Sequence, residues 1–308
     1  MGKCLFNEII TNNRSWENVA KSGAFIPLIR HIYETNHITF GEVRLISENN
    51  EVFQVGNTAI KLFRPPEAKL PGYERIYETE LSAMNFCKSA GVLTPDIICT
   101  GIIKDEVYSF PYTVMVYIDG VLASEIISGY DKKSKFDFSQ KLKEMTDKIY
   151  IPTDVDIPRY VDYDKMGSTL WAYRMPELFI EDREQHLAKI KFPEPVFQHG
   201  DLWDGNIFVD KQGRLVLIDF AESLIAPPYY DIAPLILNGG WYDKIRLEAY
   251  LGEYKNDVFY DNFTTAWLLN WFGAEYIGIR ARETGIALDS ITSVNALRNM
   301  VVTLFENL

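Results

Sequence analysis

The sequence predicts an α+β protein with an N-terminal antiparallel sheet lobe and a larger, mainly helical C-terminal lobe. Three observations predict this: closely spaced β-like segments up to about residue 118, helix-like segments over much of the remainder, and a change of pattern near Asp119 and Gly120. We expect residues 1–115 to form the first lobe, 116–120 a hinge, and 121–308 the second lobe.

The first lobe should combine a helix pair, a small sheet and one packed helix. Apolar residues recur at helical spacing over residues 14–36, whereas the segments from 38 to 63 have the pattern of strands. Gly56 and Asn57 are typical of a tight hairpin turn. The elements that follow are a helix over 73–90 and strands over 97–103 and 111–118.

The second lobe should be mostly helical. We predict helices over 138–150 and 175–189 and several more after Pro234. Two short apolar runs interrupt them, Ile207–Val209 and Leu215–Ile218, and the turn between these runs predicts an antiparallel hairpin.

Composition restricts the possible partners. Among 308 residues, 43 are acidic and 31 are Lys or Arg, so the net charge of −12 argues against nucleic acid and is compatible with a cationic small molecule. No apolar run reaches the roughly 18 residues that a membrane span needs. The three cysteines lack a paired or metal-like spacing, and the chain start lacks the apolar region of a signal peptide. We therefore expect a cytoplasmic protein without membrane partners.

The predicted hairpin brings oxygen ligands together at its open end. Asn206 directly precedes the first strand and Asp219 directly follows the second, so an amide oxygen and a carboxylate should lie side by side. Such ligands suit Mg²⁺. Asp201 lies on the loop that enters the hairpin, where its carboxylate can accept a hydroxyl proton. This arrangement predicts phosphoryl transfer from a magnesium nucleotide.

A second group of residues, in the first lobe, supports the same chemistry. Ala59 and Lys61 should face the same side of one strand, where the small residue leaves room for a base and the lysine reaches phosphates. Glu80 falls on a largely apolar helix stripe, and Lys61 is its natural partner.

In these motifs the chain resembles the aminoglycoside phosphotransferase family, which has a protein-kinase-like fold. "HGDLWDGN" resembles the catalytic loop of that family, "IDF" its metal-binding motif, and "TAIK" with Glu80 its lysine–glutamate pair. The resemblance implies ATP or GTP with Mg²⁺ as cofactors, Asp201 as the base, and Asn206 and Asp219 as metal ligands.

The resemblance also assigns residues that the geometry alone does not. "TVMVYIDGVLASE" is similar to the hinge of the family, which implies adenine bonds to the Val116 carbonyl and the Ile118 amide, with Met115 lining the base pocket. Asp231 corresponds to an aspartate that braces the catalytic loop. The phosphate loop, Ser47–Glu51, departs from protein kinases because it lacks glycine, so Asn50 and backbone amides would contact the phosphates.

Less specific interpretations remain for several side chains. His199 and Asp201 could form a hydrolase metal site, but the chain has only four histidines and none has ligand spacing around this pair, so His199 is interpreted as a structural residue of the loop. Asp204 is expected on a solvated loop. Trp203 could stack on a substrate ring or pack within the protein.

The acceptor pocket should lie between the catalytic loop and the C-terminal helices. Acidic and aromatic residues there could bind a protonated aminosugar, although the acids could equally form a solvated helix face and the tryptophans a core. The candidates are Glu181, Asp182, Glu222, Trp271 and Glu275, together with Glu184, Trp241 and Trp267.

The sequence therefore predicts a small-molecule O-phosphotransferase with an aminoglycoside, as in antibiotic resistance, as the leading acceptor. An amino sugar, a ketosamine or homoserine is the alternative substrate, since "HGDLW" also resembles ketosamine kinases. A catalytically silent nucleotide-binding protein is the alternative of another class. A protein kinase is disfavoured because the segment between Asp219 and Asp231 has no long activation loop.

Overall fold

The chain folds as two units that separate the larger sheet from most of the helices. The computed structural model describes residues 5–47, 51–70, 75–160, 171, 174–238 and 241–308. The first unit comprises Met1–Glu78 and Thr94–Asp119, and the second comprises Thr79–Leu93 and Gly120–Leu308. The predicted fold class, a sheet lobe and a larger helical lobe, is confirmed.

A five-stranded antiparallel sheet forms the centre of the first unit. Its strand order is β1-β2-β3-β5-β4. The strands are β1 (Val43–Ser47), β2 (Val52–Val55), β3 (Thr58–Leu62), β4 (Ile97–Lys104) and β5 (Ser109–Val116).

Two helices cover one face of this sheet, namely α1 (Asn13–Ser22) and α2 (Ile26–Thr35). The side chain of Asn12 caps α1 by accepting the N–H of Ser15, and the predicted helix pair is confirmed. Buried aromatic and aliphatic side chains from both helices and from alternate strand positions form one core. Its members include Trp16, Phe25, Phe53, Ile60 and Phe110.

Helix α3 (Ile76–Ser89) groups with the second unit over residues 79–93, whereas the sequence analysis assigned it to the first lobe. Within the second unit the ring of Phe86 lies 4.8 Å from that of Phe197, and the Leu217 N–H donates to the Leu93 carbonyl at 3.0 Å. The predicted boundaries and the hinge over 116–120 stay a prediction.

The second unit is mainly helical and contains two small antiparallel sheets. In one sheet β6 (Gly120–Leu122), β8 (Ile207–Asp210) and β9 (Leu215–Leu217) pair in the order β6-β8-β9. In the other, β7 (Val196–Gln198) pairs with β10 (Leu224–Ala226).

The helices of the second unit follow the predicted regions but differ at their ends. The helix predicted over 138–150 begins earlier, because Asp131 accepts the Ser134 N–H at 2.7 Å and so caps it. The described helices are α4 (Ala123–Ile126), α5 (Lys132–Thr146), α6 (Glu177–Lys189), α7 (Ile232–Leu237), α8 (Lys244–Leu251), α9 (Asp257–Leu269), α10 (Gly273–Thr284) and α11 (Val294–Glu306). Among the described residues, no helix has the length and hydropathy needed to cross a membrane.

Candidate active site

The β8–β9 hairpin holds Asn206 and Asp219 at its open end. Ile207 pairs with Leu217, and the Ile218 N–H donates to the Asn206 carbonyl at 3.1 Å. Asp219 follows at once with a φ of 61°, a left-handed conformation that costs a non-glycine residue about 1 kcal/mol or more. The strands predicted from the sequence therefore bring these two residues to the same end of the hairpin.

Asn206 is buried and its side-chain amide is oriented by Asp201. Its Nδ2 donates to the Asp201 backbone carbonyl at 2.8 Å and to Asp201 Oδ2 at 2.9 Å. Since both bonds use the nitrogen, the amide oxygen remains without a hydrogen bond from any described residue. That oxygen and the Asp219 carboxylate are hard donors of the kind that Mg²⁺ prefers.

These donors fit a magnesium ion held by few protein ligands. No group of three or more His, Cys, Asp or Glu residues suited to a metal occurs in the described part of the chain. A site of one amide and one carboxylate is instead typical of magnesium that also binds substrate phosphates and water.

Asp201 has an unusually raised pKa for a carboxylate. Burial, and next the negative charge of Asp219, raise its pKa to about 6, while the bonds from Asn206 and Trp203 act in the opposite direction. At pH 7 and above, Asp201 is therefore mostly ionised and can accept a proton.

Trp203 contacts Asp201 directly, which the sequence analysis did not foresee. Its indole Nε1 donates to Asp201 Oδ2 at 3.2 Å, and its ring lies against Gly205. The one sequence feature that could have indicated this contact is the position of Trp203 two residues after Asp201 in the same loop.

Asp204 is not solvated, and that expectation is wrong. Its carboxylate is buried and accepts two hydrogen bonds from Arg246, at 2.8 and 2.6 Å, and one from Trp241 Nε1 at 2.9 Å. The Arg246 guanidinium also lies 3.7 Å from the centre of the Trp241 ring. Because each charge has a partner and the cation also contacts an aromatic face, the carboxylate is stable without water.

Asp231 connects helix α7 to the start of the loop. Its carboxylate accepts the N–H groups of His199 and Gly200 at 2.7 and 2.8 Å and the Tyr150 hydroxyl at 2.7 Å. Burial raises the pKa of Asp231, and the bonded donors oppose this shift. These contacts have the geometry expected of a brace.

His199 is buried and neutral. Burial lowers its pKa, and Nε2 lies 3.0 Å from the Ile218 carbonyl, which can only accept, so Nε2 carries the proton. Nδ1 has no hydrogen-bond partner among the described residues. His199 thus connects the loop to the end of β9.

Two of the predicted acceptor residues, Glu222 and Glu275, influence the same tyrosine as Asp201, whereas the acceptor site itself stays a prediction. Burial, together with the negative charges of Asp201, Glu222 and Glu275, raises the pKa of the Tyr276 phenol. Tyr276 thus lies within electrostatic reach of three carboxylates, and the sequence analysis missed it although it directly follows Glu275. Arg174 lies 3.7 Å from Glu275 in an exposed pair.

The other predicted acceptor residues differ in their surroundings: one acid caps a helix, another is exposed, and the tryptophans are buried or half-buried. Asp182 accepts the Val294 N–H at 2.7 Å, at the start of α11, and Glu181 is exposed on α6. Trp267 is fully buried and its indole donates to the Gly273 carbonyl at 2.9 Å. Trp271 is half-buried.

Within the first unit, the predicted nucleotide residues Ala59, Lys61 and Met115 share the sheet face opposite the aromatic core, since they alternate with core residues along their strands. Lys61 pairs with Thr113, and Ala59 with Met115. The Val116 N–H donates to the Asp96 carbonyl at 2.9 Å. The adenine contacts of Val116 and of Ile118, which is half-buried, stay predictions.

Asn50 and Glu80, which were also predicted to serve the nucleotide site, cannot be placed on this face of the sheet. Asn50 lies outside the described residues. Glu80 is buried on α3 in the second unit, so its pairing with Lys61 stays a prediction.

Comparison with known proteins identifies a family match within the second unit and a curated relative. Residues 157–269, which include the loop, the hairpin and Asp231, match the phosphotransferase enzyme family. A probable ketoamine kinase of Staphylococcus aureus is 26% identical over 188 residues, or 54% of this chain. The match covers 64% of the length of that relative.

Solved structures share the fold of the chain. The GDP complex of aminoglycoside 2'-phosphotransferase-IIIa has a TM-score of 0.61 and 15% identity, covering 92% of this chain and 98% of that one. Choline kinase LicA from Streptococcus pneumoniae has a TM-score of 0.56 and 18% identity, covering 91% and 98%. The resemblance to phosphotransferases with a protein-kinase-like fold is confirmed.

Proposed function

We propose that this chain, whose residues 157–269 match the phosphotransferase enzyme family, transfers the γ-phosphoryl group of ATP or GTP to a hydroxyl of a small molecule. The observation that carries the proposal is the contact among Asp201, Asn206 and the hairpin end at Asp219. It combines an ionised proton acceptor with two oxygen donors for Mg²⁺ in one loop and hairpin.

Each residue has a defined task in this reaction. Asp201 accepts the proton of the acceptor hydroxyl, whose oxygen bonds to the γ-phosphorus as the bond to the β-phosphate oxygen breaks and the nucleoside diphosphate leaves. Asn206 and Asp219 would hold Mg²⁺, which when bound neutralises phosphate charge. Lys61 would align phosphates and Glu80 would orient Lys61. Such catalysis depends on position and charge more than on covalent chemistry.

The acceptor we favour is a polyhydroxylated compound that carries an amine. Tyr276 lies within electrostatic reach of Asp201, Glu222 and Glu275, so a hydroxyl bound near Asp201 would share this acidic surrounding with an ammonium group. A ketoamine is the first candidate because the staphylococcal relative is described as a ketoamine kinase. An aminoglycoside is the second, because the same carboxylates suit its several ammonium groups.

A screen for nucleotide hydrolysis coupled to acceptor phosphorylation tests the proposal. Release of ADP or GDP from purified protein should require Mg²⁺ and should rise with a ketoamine or an aminoglycoside, with phosphorylated product seen by mass spectrometry. Simple alcohols without an amine serve as the comparison set. Equal rates with all acceptors would contradict the amine preference.

Variants separate the base from the metal ligands. Asp201→Ala should abolish turnover yet leave Mg·ATP binding by calorimetry near the wild-type value, because the lost carboxylate accepts the proton while the backbone carbonyl of residue 201 still holds the Asn206 amide. Asp219→Ala should weaken nucleotide binding only when Mg²⁺ is present. The exposed Glu144→Ala serves as the control and should change neither property. Turnover by Asp201→Ala would refute the base assignment, and a silent nucleotide-binding protein would show binding with no turnover in the wild type.

A further inference from the structure

Two N–H donors meet on one oxygen of the candidate base. Asn206 Nδ2 and Trp203 Nε1 donate to Asp201 Oδ2 at 2.9 and 3.2 Å. Oδ1 accepts no hydrogen bond from the residues that the structure describes. A carboxylate group otherwise rotates broadly about its last bond, so two donors on one oxygen fix its plane and direct the other oxygen elsewhere.

The indole reaches Asp201 because the turn after it is tight and contains a glycine. The Asn206 N–H donates to the Trp203 carbonyl at 2.8 Å, which folds the chain back beneath the ring. A Cβ atom at Gly205 would lie 2.3 Å from the Trp203 ring, far inside contact distance. Any side chain at position 205 would therefore displace the indole from its place beside Asp201.

Asp204, which lies between Trp203 and Gly205, attaches the turn to the interior of the second unit. Asp204 is held by Arg246 and Trp241 inside the second unit, while Trp203 is half-buried beside Asp201. Consecutive side chains thus have separate attachments, one to a buried ion pair and one to the candidate base. Because Trp203 is half-buried, its N–H could bond to water, and its bond to Asp201 Oδ2 instead places it directly beside the candidate base.

We propose that Trp203 is a positioning residue for Asp201, holding Oδ1 of the carboxylate toward the acceptor hydroxyl through the bond from Nε1 to Oδ2. This assignment rests on the proposed phosphotransfer. It predicts that loss of the N–H lowers kcat and leaves the KM of nucleotide and acceptor unchanged, because the base is misdirected and binding is not altered.

Three variants separate the hydrogen bond from the shape of the ring. Trp203→Phe removes the N–H and part of the ring, and β-(3-benzothienyl)alanine incorporated at position 203 keeps the two-ring shape with sulfur in place of the N–H. Gly205→Ala keeps the indole but forces it away. Each should lower kcat by about tenfold with little change in KM. The two substitutions at position 203 should leave the thermal midpoint near the wild-type value, whereas the collision in Gly205→Ala should lower it. A wild-type kcat for the benzothienyl variant, or a loss confined to KM, would overturn the proposal.

A spectroscopic measurement decides the contact without turnover. In full-length protein with ¹⁵N-labelled tryptophan, the Trp203 indole resonance is assigned by its absence in Trp203→Phe. In Asp201→Ala this resonance should move, because its acceptor is gone, while the signals of the other five tryptophans stay in place. An unmoved Trp203 signal would refute the contact. If the wild type phosphorylates no acceptor, the proposed function fails, whereas this measurement still tests the hydrogen bond.

Discussion

At the scale of single residues, the buried ion pair beside the loop depends on the hydrogen bonds that its carboxylate accepts. Removal of charges from water costs several kcal/mol per ion, and a buried pair recovers this only with good geometry. Asp204 meets that condition through both Arg246 bonds and the Trp241 indole. Loss of the cation would leave a buried carboxylate with one neutral donor.

Arg246→Ala should therefore destabilise the protein by about 3–5 kcal/mol. The matched control is Arg298→Ala, which breaks pairs with Asp257 and Asp261 whose carboxylates are 87% and 62% exposed, and it should cost no more than about 1 kcal/mol. Urea unfolding followed by circular dichroism measures both changes. Similar midpoints for the two variants would show that the buried pair contributes no more than a surface pair.

Site residues brought together by a local turn could be predicted from the sequence, whereas residues that meet through long-range packing could not. Asn206 and Asp219 are brought together by one local hairpin, so spacing alone indicated their proximity. Asp204 and Arg246 are 42 residues apart and meet only through helix packing, so no local pattern indicated the partner. The role of Trp203 was missed for a similar reason, because it depends on how the turn at Gly205 folds its ring.

At the scale of elements, the loop between β7 and β8 requires an unusual backbone. Gly200 has a φ of 90°, and a Cβ atom there would lie 1.8 Å from the Glu222 carbonyl oxygen. Both conditions exclude a side chain, the first by strain and the second by collision with backbone that cannot move freely. The close approach arises from the pairing of β7 with β10, in which Gln198 is opposite Leu224.

Gly200→Ala should consequently cost about 3 kcal/mol or more in stability, since strain and collision add. Gly213→Ala provides the comparison, because Gly213 also has a positive φ, of 72°, but no atom lies within 4 Å of a Cβ there. It should cost only about 1 kcal/mol. The free energies of unfolding of the two variants in urea give the test, and equal losses would exclude the collision as a cause.

The length of an element decides whether its sequence shows a pattern from which the element can be predicted. The sequence predicts the five strands of the first unit and the N-terminal helix pair, whereas the helix predicted over 138–150 begins earlier, at Lys132, and the helices after Pro234 are predicted only as a group. The β7–β10 ribbon was not predicted, because three-residue segments such as Val196–Gln198 are too short to show alternation. Its partner strand, Leu224–Ala226, is buried along its length and likewise shows no period.

At the scale of the whole molecule, helix α3 shows that chain order and folding unit differ. Residues 79–93 lie between strands of the first unit in sequence, yet they pack within the second, through Phe86 on Phe197 and the Leu93 carbonyl on Leu217. Sequence reading assigns a segment to its neighbours in the chain, whereas local stability follows the contacts that a segment makes. The helix should therefore open with the second unit.

Hydrogen exchange on the full chain in increasing denaturant tests this assignment. Peptides covering residues 79–93 should lose protection at the same denaturant concentration as those covering β9 (Leu215–Leu217), since they share packing and a backbone hydrogen bond. Peptides from α2 (Ile26–Thr35) should follow β3 (Thr58–Leu62), because both belong to one aromatic core. If residues 79–93 instead lose protection together with β3 and apart from β9, the helix belongs energetically to the sheet unit. The position of Glu80 would then depend on the stability of the unit that carries Lys61.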